Sequence, residues 1–387
     1  MIAVSFGLAR YGYGLLLPEM RSTLSITAGV AGLIASATYV SYLLANAGVV
    51  WVTGRWGPRA AIGLATLLAS AGMLMISLAH SASVLAAGVL VGGAAAGLAF
   101  PPYADLVARD VDPRRRDLAW STVSSGTGWG VALAGPIAVV AGGHWRIAWL
   151  VFVALAVGTG CAAVLLAPAN HQGRRLRRPQ LSWTWFFCPR SRPLLLSAVL
   201  VGAGSAVWWS FSVDAVRQAG IGPTPAHLFY AVCGAAGILA SVSGAAFDRI
   251  GLRRGYLVAC SLLAISVAVL GVATNRLVAV LAAAVLFGVF YNGVIAAQGI
   301  WSSRVFADHP SAGLAAVNTA LTVGTLTGPA LAGVAIGQVG FATTLLAAAV
   351  LIGAALGFCP PSVHRQRVLA AHRCTAAPVR RAGVDFR

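Results

Sequence analysis

The sequence predicts an all-α integral membrane protein of twelve transmembrane helices in two six-helix, pseudo-symmetric bundles. Three observations predict it. The 387 residues are 59% hydrophobic and only 9% charged, with a mean hydropathy of +0.84, whereas soluble domains carry roughly 25% charged residues. Apolar runs of about 20 residues, each closed by a short Gly, Pro or Arg cluster, recur from end to end. An Arg-x-Gly-x-Arg element also returns 194 residues later, the mark of an internal repeat. Lipid then requires the spans to be helices, because an unpaired backbone group cannot be hydrated there.

In the first half the spans fall near residues 1–18, 28–52, 60–79, 82–106, 118–141 and 146–168. Pro18 closes the first, TGRWGPR (Thr53 to Arg59) follows the second, and Arg114 to Arg116 separate the fourth from the fifth. Span four carries GLAFPPYAD, whose Pro101 and Pro102 remove two helix donors and should bend or unwind it. In the second half the spans fall near 194–213, 226–247, 255–274, 277–303, 312–335 and 341–359, with FDRIGLRR after span eight. The resulting domain division is 1–168 for one bundle, 169–193 for an Arg-rich cytoplasmic linker, 194–359 for the second bundle and 360–387 for a basic tail. Within the linker, SWTWFF reads as an interfacial anchor, with a partner-binding peptide as the alternative.

A net charge of +18, all of its 27 basic residues arginine, raises the question of nucleic acid. The placement of the arginines answers it. One set of alternate loops holds Arg55 and Arg59, Arg109 and Arg114 to Arg116, the linker arginines, Arg249, Arg253 and Arg254, Arg304 and the tail. The other set holds only Arg21, Arg146, Arg217 and Arg276. By the positive-inside rule the rich side is cytoplasmic, so both termini are inside, in a plasma (inner) membrane, and the charge serves topology and lipid contact, not nucleic acid. The six cysteines form no CxxC pair and read as apolar filler, so neither a metal nor a disulfide framework is expected. No basic n-region precedes the first span, which argues against a secretory signal and raises the expectation of a longer natural start.

Further pairing supports the repeat. Gly135-Pro136 in AGPIA and Gly328-Pro329 in TGPAL fall at nearly the same offset. GAAFDRIGLRR, Gly244 to Arg254, resembles the GxxxDRxGxRR loop signature of the major facilitator superfamily, and the Gly-Pro pairs resemble that family's span-five signature. The opening LARYGYGLLLPEM is similar to the first span of its YbfB/YjiJ-type branch, with an Arg-aromatic pair and a Leu-Leu-Pro exit. The resemblance implies a secondary transporter with a central cavity lined by spans one, four, seven and ten, beside two, five, eight and eleven. It also implies cytoplasmic gating loops, here Arg55, Gly57, Arg59, Asp105, Gly244, Asp248, Arg249, Gly251 and Arg253. The first-half copy departs from the signature: Val50 replaces the leading Gly and Gly54 the Asp, so the acidic latch survives only as Asp248. Loop-stapling ion pairs without a gating role are the alternative for these groups.

Strongly polar residues sort by span. Spans three, six, nine and twelve contain none beyond Arg146 at the loop end of span six and can face lipid, whereas Arg10, Asn46, Asp105, Asn292, Gln298 and Asn318 sit in spans one, two, four, ten and eleven. Arg10 lies eight residues before Pro18, roughly 12 Å inside a ~30 Å core. Helical spacing puts Tyr13 on its face and turns Tyr11 about 100° away. An arginine cannot shed its charge, and at the midplane it costs about 2.5–3.5 kcal/mol. No acid lies at matching depth, so Arg10 reads as facing a wet cavity and binding an anionic group. A structural arginine, bonded to helix carbonyls and stacked on tyrosine, is the competing reading. Spacing adds Tyr39, Tyr42 and Asn46, then Tyr291, Asn292 and Gln298, then Asn318 and Thr322, with Trp208 and Trp209 in span seven opposite; for the aromatics, packing is the alternative.

The leading expectation is therefore a secondary transporter of a small, anionic organic solute working by rocker-switch alternating access, as a monomer in lipid. Multidrug or sugar-type efflux with a structural Arg10 is the alternative, and a non-transporting sensor or scaffold a further one. No nucleotide loop or catalytic motif occurs, so neither enzyme activity nor a cofactor is expected. A coupled proton is the family default, but its carriers would have to be Glu19, Asp105 or Asp214, away from the midplane.

Overall fold

The computed structural model describes residues 1–167, 190–239, 247, 249–307 and 310–361, nearly all of them helical. Two long runs each contain one break. Ala28–Ser77 is interrupted at Gly57 (φ 80°, ψ 171°) and Pro310–Ala354 at Gly340 (φ 79°, ψ 175°). Those dihedrals are open essentially to glycine alone, so each run is two helices. Among the described residues this makes twelve helical segments. We label them α1 (Ala3–Arg10 and Gly12–Leu24), α2 (28–56), α3 (58–77), α4 (Ala82–Asp110), α5 (Arg116–Val140) and α6 (Trp145–Leu166) in the first half. The second half holds α7 (Arg192–Gln218), α8 (Pro223–Ile238), α9 (Leu252–Val272), α10 (Leu277–Val305), α11 (310–339) and α12 (341–354). Nine stretches among the described residues are long and apolar enough to cross a membrane by themselves; one of these, Gly313–Gly357, contains both α11 and α12, while α1 and α8 fall outside the nine.

The duplicated loop element folds alike in both copies. Gly251 precedes α9 with φ 82° and ψ 145°, close to the values at Gly57. The glycine of Arg-x-Gly-x-Arg is thus the residue that lets the chain turn between spans. Helix starts are fixed by hydroxyl caps where the chain re-enters: Thr27 accepts from the Val30 amide at 3.3 Å and Ser81 from the Val84 amide at 3.4 Å.

Two local expectations change. Pro18 does not end α1; the helix continues to Leu24 and stops at Ser25, whose φ of 53° is left-handed, with the Ile26 amide returning to the Arg21 carbonyl at 3.1 Å. Apolar surroundings tolerate an internal proline when neighbouring helices support the freed backbone. For the same reason α4 stays helical through Pro101 and Pro102 and does not unwind. The 169–193 linker and the tail, including SWTWFF, lie almost wholly outside the described residues.

Burial places the helices. In α7, 72% of the apolar window is buried, against 22% in α6, so α7 is central and α6 peripheral. Backbones of the two halves approach closely along three seams. Gly14 of α1 lies against the Trp209 carbonyl of α7; Gly32 of α2 meets Pro329 and Gly333 of α11 meets Ala28; Gly128 and Gly135 of α5 meet Gly234 and His227 of α8. A Cβ at these glycines would collide with backbone across the seam, so side-chain-free faces set the closeness. The Ala28–Gly333 contact is at the Arg-poor ends of α2 and α11. Toward the Arg-rich ends of the same helices, Asn46 and Asn318 are exposed.

Candidate solute site

The first stretch of α1, Ala3–Arg10, is wound as a π-helix, and the Tyr11 amide closes it on the Phe6 carbonyl at 3.1 Å. Such wide turns occur mostly as short insertions and often at functional sites. Adjacent residues still diverge by roughly 80–100° in such a turn, and the length of the arginine side chain carries its guanidinium to the Tyr11 ring. That ring is therefore not out of reach of Arg10 but stands 5.7 Å from the guanidinium carbon. Arg10 sits eleven residues inward of Arg21, roughly 16 Å along the helix.

Four rings surround the guanidinium: Tyr42 at 4.5 Å, Tyr39 at 4.6 Å, Phe6 at 5.4 Å and Tyr11 at 5.7 Å. These are cation–π distances, and they offset part of the penalty of burying the charge. The hydroxyls of Tyr39 and Tyr42 also lie within reach of its N–H groups. Its Nε is nevertheless buried without a hydrogen-bond partner, and among the described residues no carboxylate pairs with it. A gap of about 20 Å³ beside the guanidinium is lined by Tyr11, Tyr13, Thr38, Tyr39 and Trp209, about the room one water needs.

The second half supplies an aromatic wall. Trp209 stacks on Tyr11 with centroids 4.3 Å apart and meets Tyr291 edge-on at 5.7 Å, and Tyr291 lies parallel to Phe287 at 5.5 Å. Tyr291 is also within electrostatic range of Arg10.

Other residues singled out from the sequence lie elsewhere or turn inward. Trp208 is fully buried and stacks on Phe287 at 4.2 Å, inside the second half. Gln298 is fully buried and donates to Ser197 Oγ at 2.9 Å, which shares a 2.7 Å bond with the Tyr256 hydroxyl. That network stitches α10, α7 and α9 together and turns Gln298 away from Arg10; helical spacing gives a face, not the side of the bundle that the face meets. Tyr13 spends its hydroxyl on the Ala31 carbonyl at 3.0 Å, and Thr322 on the Asn318 carbonyl at 2.7 Å. Asn292 is exposed and donates to its own helix at Gly288, while Asn46 and Asn318 are exposed toward the Arg-rich side. Of the loop residues, Arg55, Arg249 and Arg253 are exposed, Arg59 is half-buried, and Gly57 and Gly251 form the turns between spans. Asp105 is described by its backbone only, and Gly244 and Asp248 lie outside the described residues.

A second cluster bridges the two halves at the Arg-poor end, where Glu19, Arg21 and Asp214 line a cavity of about 580 Å³ with Arg217 and Phe341. Arg21 of α1 pairs with Asp214 of α7, and Glu19 of α1 faces His227 of α8 with Oε1 and Nε2 3.3 Å apart. Beneath it the Tyr230 hydroxyl of α8 donates to the Tyr11 carbonyl at 2.9 Å, with the Trp209 carbonyl at 3.3 Å. Sequence reasoning named the acids and missed these pairings. A signal was present: Arg21 and Asp214 end the two repeat-equivalent spans with opposite charges.

A charged residue in a cavity between two halves of a helical membrane bundle is the architecture of a polytopic carrier. The profile of the Major Facilitator Superfamily matches residues 1–246, and the chain belongs to that family. It is a multi-pass membrane transporter and not an enzyme. No curated protein gives a significant match. Among solved structures the fold is similar to a mutant form of the nucleoside transporter NupG, with a TM-score of 0.77, 13% identity, 92% of this chain and 97% of that one covered. It is also similar to a bacterial homolog of the human lysosomal transporter Spinster in an inward-facing and occupied conformation, with a TM-score of 0.75, 15% identity and 97% of both chains covered.

Proposed function

We propose that this transporter is a secondary carrier of a small organic anion, working by rocker-switch alternating access, with Arg10 as the anchor for the anionic group. One observation carries the reading: a permanent cation midway along α1 has aromatic faces around it, an unbonded buried Nε and, among the described residues, no acid beside it. Rings and the two tyrosine hydroxyls stabilise the charge, but they leave the Nε–H donor for a ligand, and a carboxylate is the group that matches an arginine. The exposed amides of Asn46 and Asn318 and the glycine seams fit a carrier closed on the Arg-poor side and open on the Arg-rich side. With the Arg-rich side cytoplasmic, this is an inward-facing state of a monomer in the plasma (inner) membrane, both termini inside. The first-span resemblance supports assignment to the YbfB/YjiJ-type branch. If a proton is coupled, Glu19, Asp105 and Asp214 are its carriers.

The aromatic enclosure also favours a second reading, because four rings compensate a buried arginine without any ligand: a sugar-type or multidrug carrier with Arg10 structural. Uptake of labelled organic acids, sugars and cationic drugs into proteoliposomes separates the two. Saturable acid flux that falls at least about tenfold in Arg10→Gln is expected, the loss of one charge-assisted interaction. Acid flux equal in the two proteins, or flux of sugars or cations alone, would put the second reading in its place.

A further inference from the structure

An anion anchored at Arg10 leaves the body of the solute open, and the surroundings of the guanidinium narrow it. Building on that anchor, we propose that the solute is a monoanion with a flat, conjugated body, an aromatic monocarboxylate or a molecule of that class, whose carboxylate meets the Arg10 edge and whose ring lies against Trp209 and Tyr291.

Charge sets the first limit. Arg10 is the one ionised group the structure brings to this cavity among the described residues, since Glu19, Arg21, Asp214 and His227 meet at the outer end of the seam. A monoanion neutralises it, whereas a dianion would leave one charge unpaired in a poorly hydrated place. Geometry sets the second. With Tyr39 and Tyr42 at 4.6 and 4.5 Å, their hydroxyls within reach of its N–H groups, and Phe6 and Tyr11 at 5.4 and 5.7 Å, the guanidinium keeps its buried Nε–H unbonded, a donor that suits one oxygen of a planar carboxylate. The wall sets the third. Trp209 meets Tyr11 at an interplanar angle of 30° and Tyr291 at 73°; Trp209 and Tyr11 line the one-water gap beside the cation, so a solute body that enlarges this gap meets rings of different orientation. Flat aromatic bodies gain from both stacked and edge-on neighbours beyond the area they bury, and puckered ones gain less. Trp209 and Tyr291 are therefore specificity-determining residues, and Arg10 alone fixes charge preference.

Four probes of similar size test the parts separately: benzoate, cyclohexanecarboxylate, terephthalate and benzamide, titrated against the purified full-length protein by thermal stabilisation. Benzoate is expected to bind about threefold or more tighter than cyclohexanecarboxylate, the scale of an aromatic pair. It should exceed benzamide and terephthalate by about tenfold or more. Trp209→Leu should erase the preference over cyclohexanecarboxylate while keeping that over benzamide, and Trp209→Phe should restore the first. Arg10→Gln should erase the preference over benzamide. Cyclohexanecarboxylate or terephthalate matching benzoate overturns the flat-monoanion class and leaves the anchor intact. Benzamide matching benzoate on the unaltered protein overturns the anchor itself, and binding by none of the four overturns the proposal.

Discussion

Two pairs of positions, each 194 residues apart, behave in opposite ways. Gly57 and Gly251 hold nearly the same backbone conformation, φ 80° and 82°. Arg10 and Gly204, at the same repeat offset in α1 and α7, share nothing. At Gly204 a Cβ would press to 2.7 Å from the Ala348 carbonyl oxygen, so α12 packs where a side chain would stand. Around Arg10 the neighbouring helices withdraw and offer rings instead. The duplication is thus preserved where the chain must turn and abandoned where a solute would sit. One half brings the charge with the four rings around it and the other brings Trp209 and Tyr291, so the proposed site needs both halves.

The strongest test of that contrast exchanges what each position lacks. Arg10→Gln is expected to weaken binding of the proposed acid by tenfold to about a hundredfold, with little change in melting temperature, because the lost cation–π contacts are offset by removal of a buried charge. Gly204→Ala is expected to do the reverse: a lower melting temperature, from about 1–3 kcal/mol of overpacking, with affinity retained. Parallel melting curves and ligand titrations check both. Equal melting losses with unchanged affinity in both variants would make Arg10 a packing residue like its counterpart.

The conserved side of the contrast has its own test. Gly57→Ala and Gly251→Ala each force an alanine into a backbone region that costs of order 1–3 kcal/mol. Both should lower the melting temperature by a similar few degrees. A large loss at one and none at the other would mean that only one copy of the loop element still sets the turn.

Much of this was legible in the residues, for identifiable reasons. Hydropathy fixes spans because lipid admits few alternatives, and the Arg-x-Gly-x-Arg copies predicted a shared turn that the dihedrals reproduce. Arg10, Tyr39, Tyr42 and Trp209 were found as neighbours because an isolated charge in an apolar run must be compensated. Tyr11 was misplaced because periodicity gives the direction of a Cα–Cβ bond, whereas the arginine side chain is long enough to bring its guanidinium to within 5.7 Å of the neighbouring ring. Gln298 and Trp208 were misassigned because hydrophobic surroundings of a buried polar or aromatic group look alike in sequence whether they face a cavity or the core. Tyr230 carried no signal at all: its role depends on two carbonyls contributed by other helices.

The seam at the Arg-poor end sharpens the comparison from outside the site. Breaking a buried ion pair costs about 3–5 kcal/mol when it is fully enclosed; Arg21 and Asp214 side chains are 24% and 11% exposed, which reduces it. Asp214→Asn should shift the balance toward opening by roughly fivefold to tenfold. Ala35→Cys, beside Arg10, and Asn46→Cys, nearer the Arg-rich side, report it in a cysteine-free background. Labelling by an impermeant thiol reagent should rise at position 35 from the Arg-poor side and fall at position 46 from the other. A rise at both would mean general loosening and not alternation between two states.

The smallest effect isolates the junction of the two halves. The Tyr230 hydroxyl has one hydrogen and two carbonyls in reach, Tyr11 of α1 at 2.9 Å and Trp209 of α7 at 3.3 Å. The Tyr11 carbonyl has room for it because the π-helix ends there, and the Leu15 amide reaches that carbonyl only at 3.4 Å. Tyr230→Phe keeps the ring packing and removes one buried hydrogen bond, about 0.5–1.5 kcal/mol. Labelling of Ala35→Cys should then rise about threefold, in the same direction as Asp214→Asn, with benzoate affinity measured alongside. A faster label with unchanged ratios among the four probes makes Tyr230 part of the closure. Altered ratios with unchanged labelling would instead make it a third member of the aromatic wall, and the division between a charged half and an aromatic half would extend from α7 and α10 to α8.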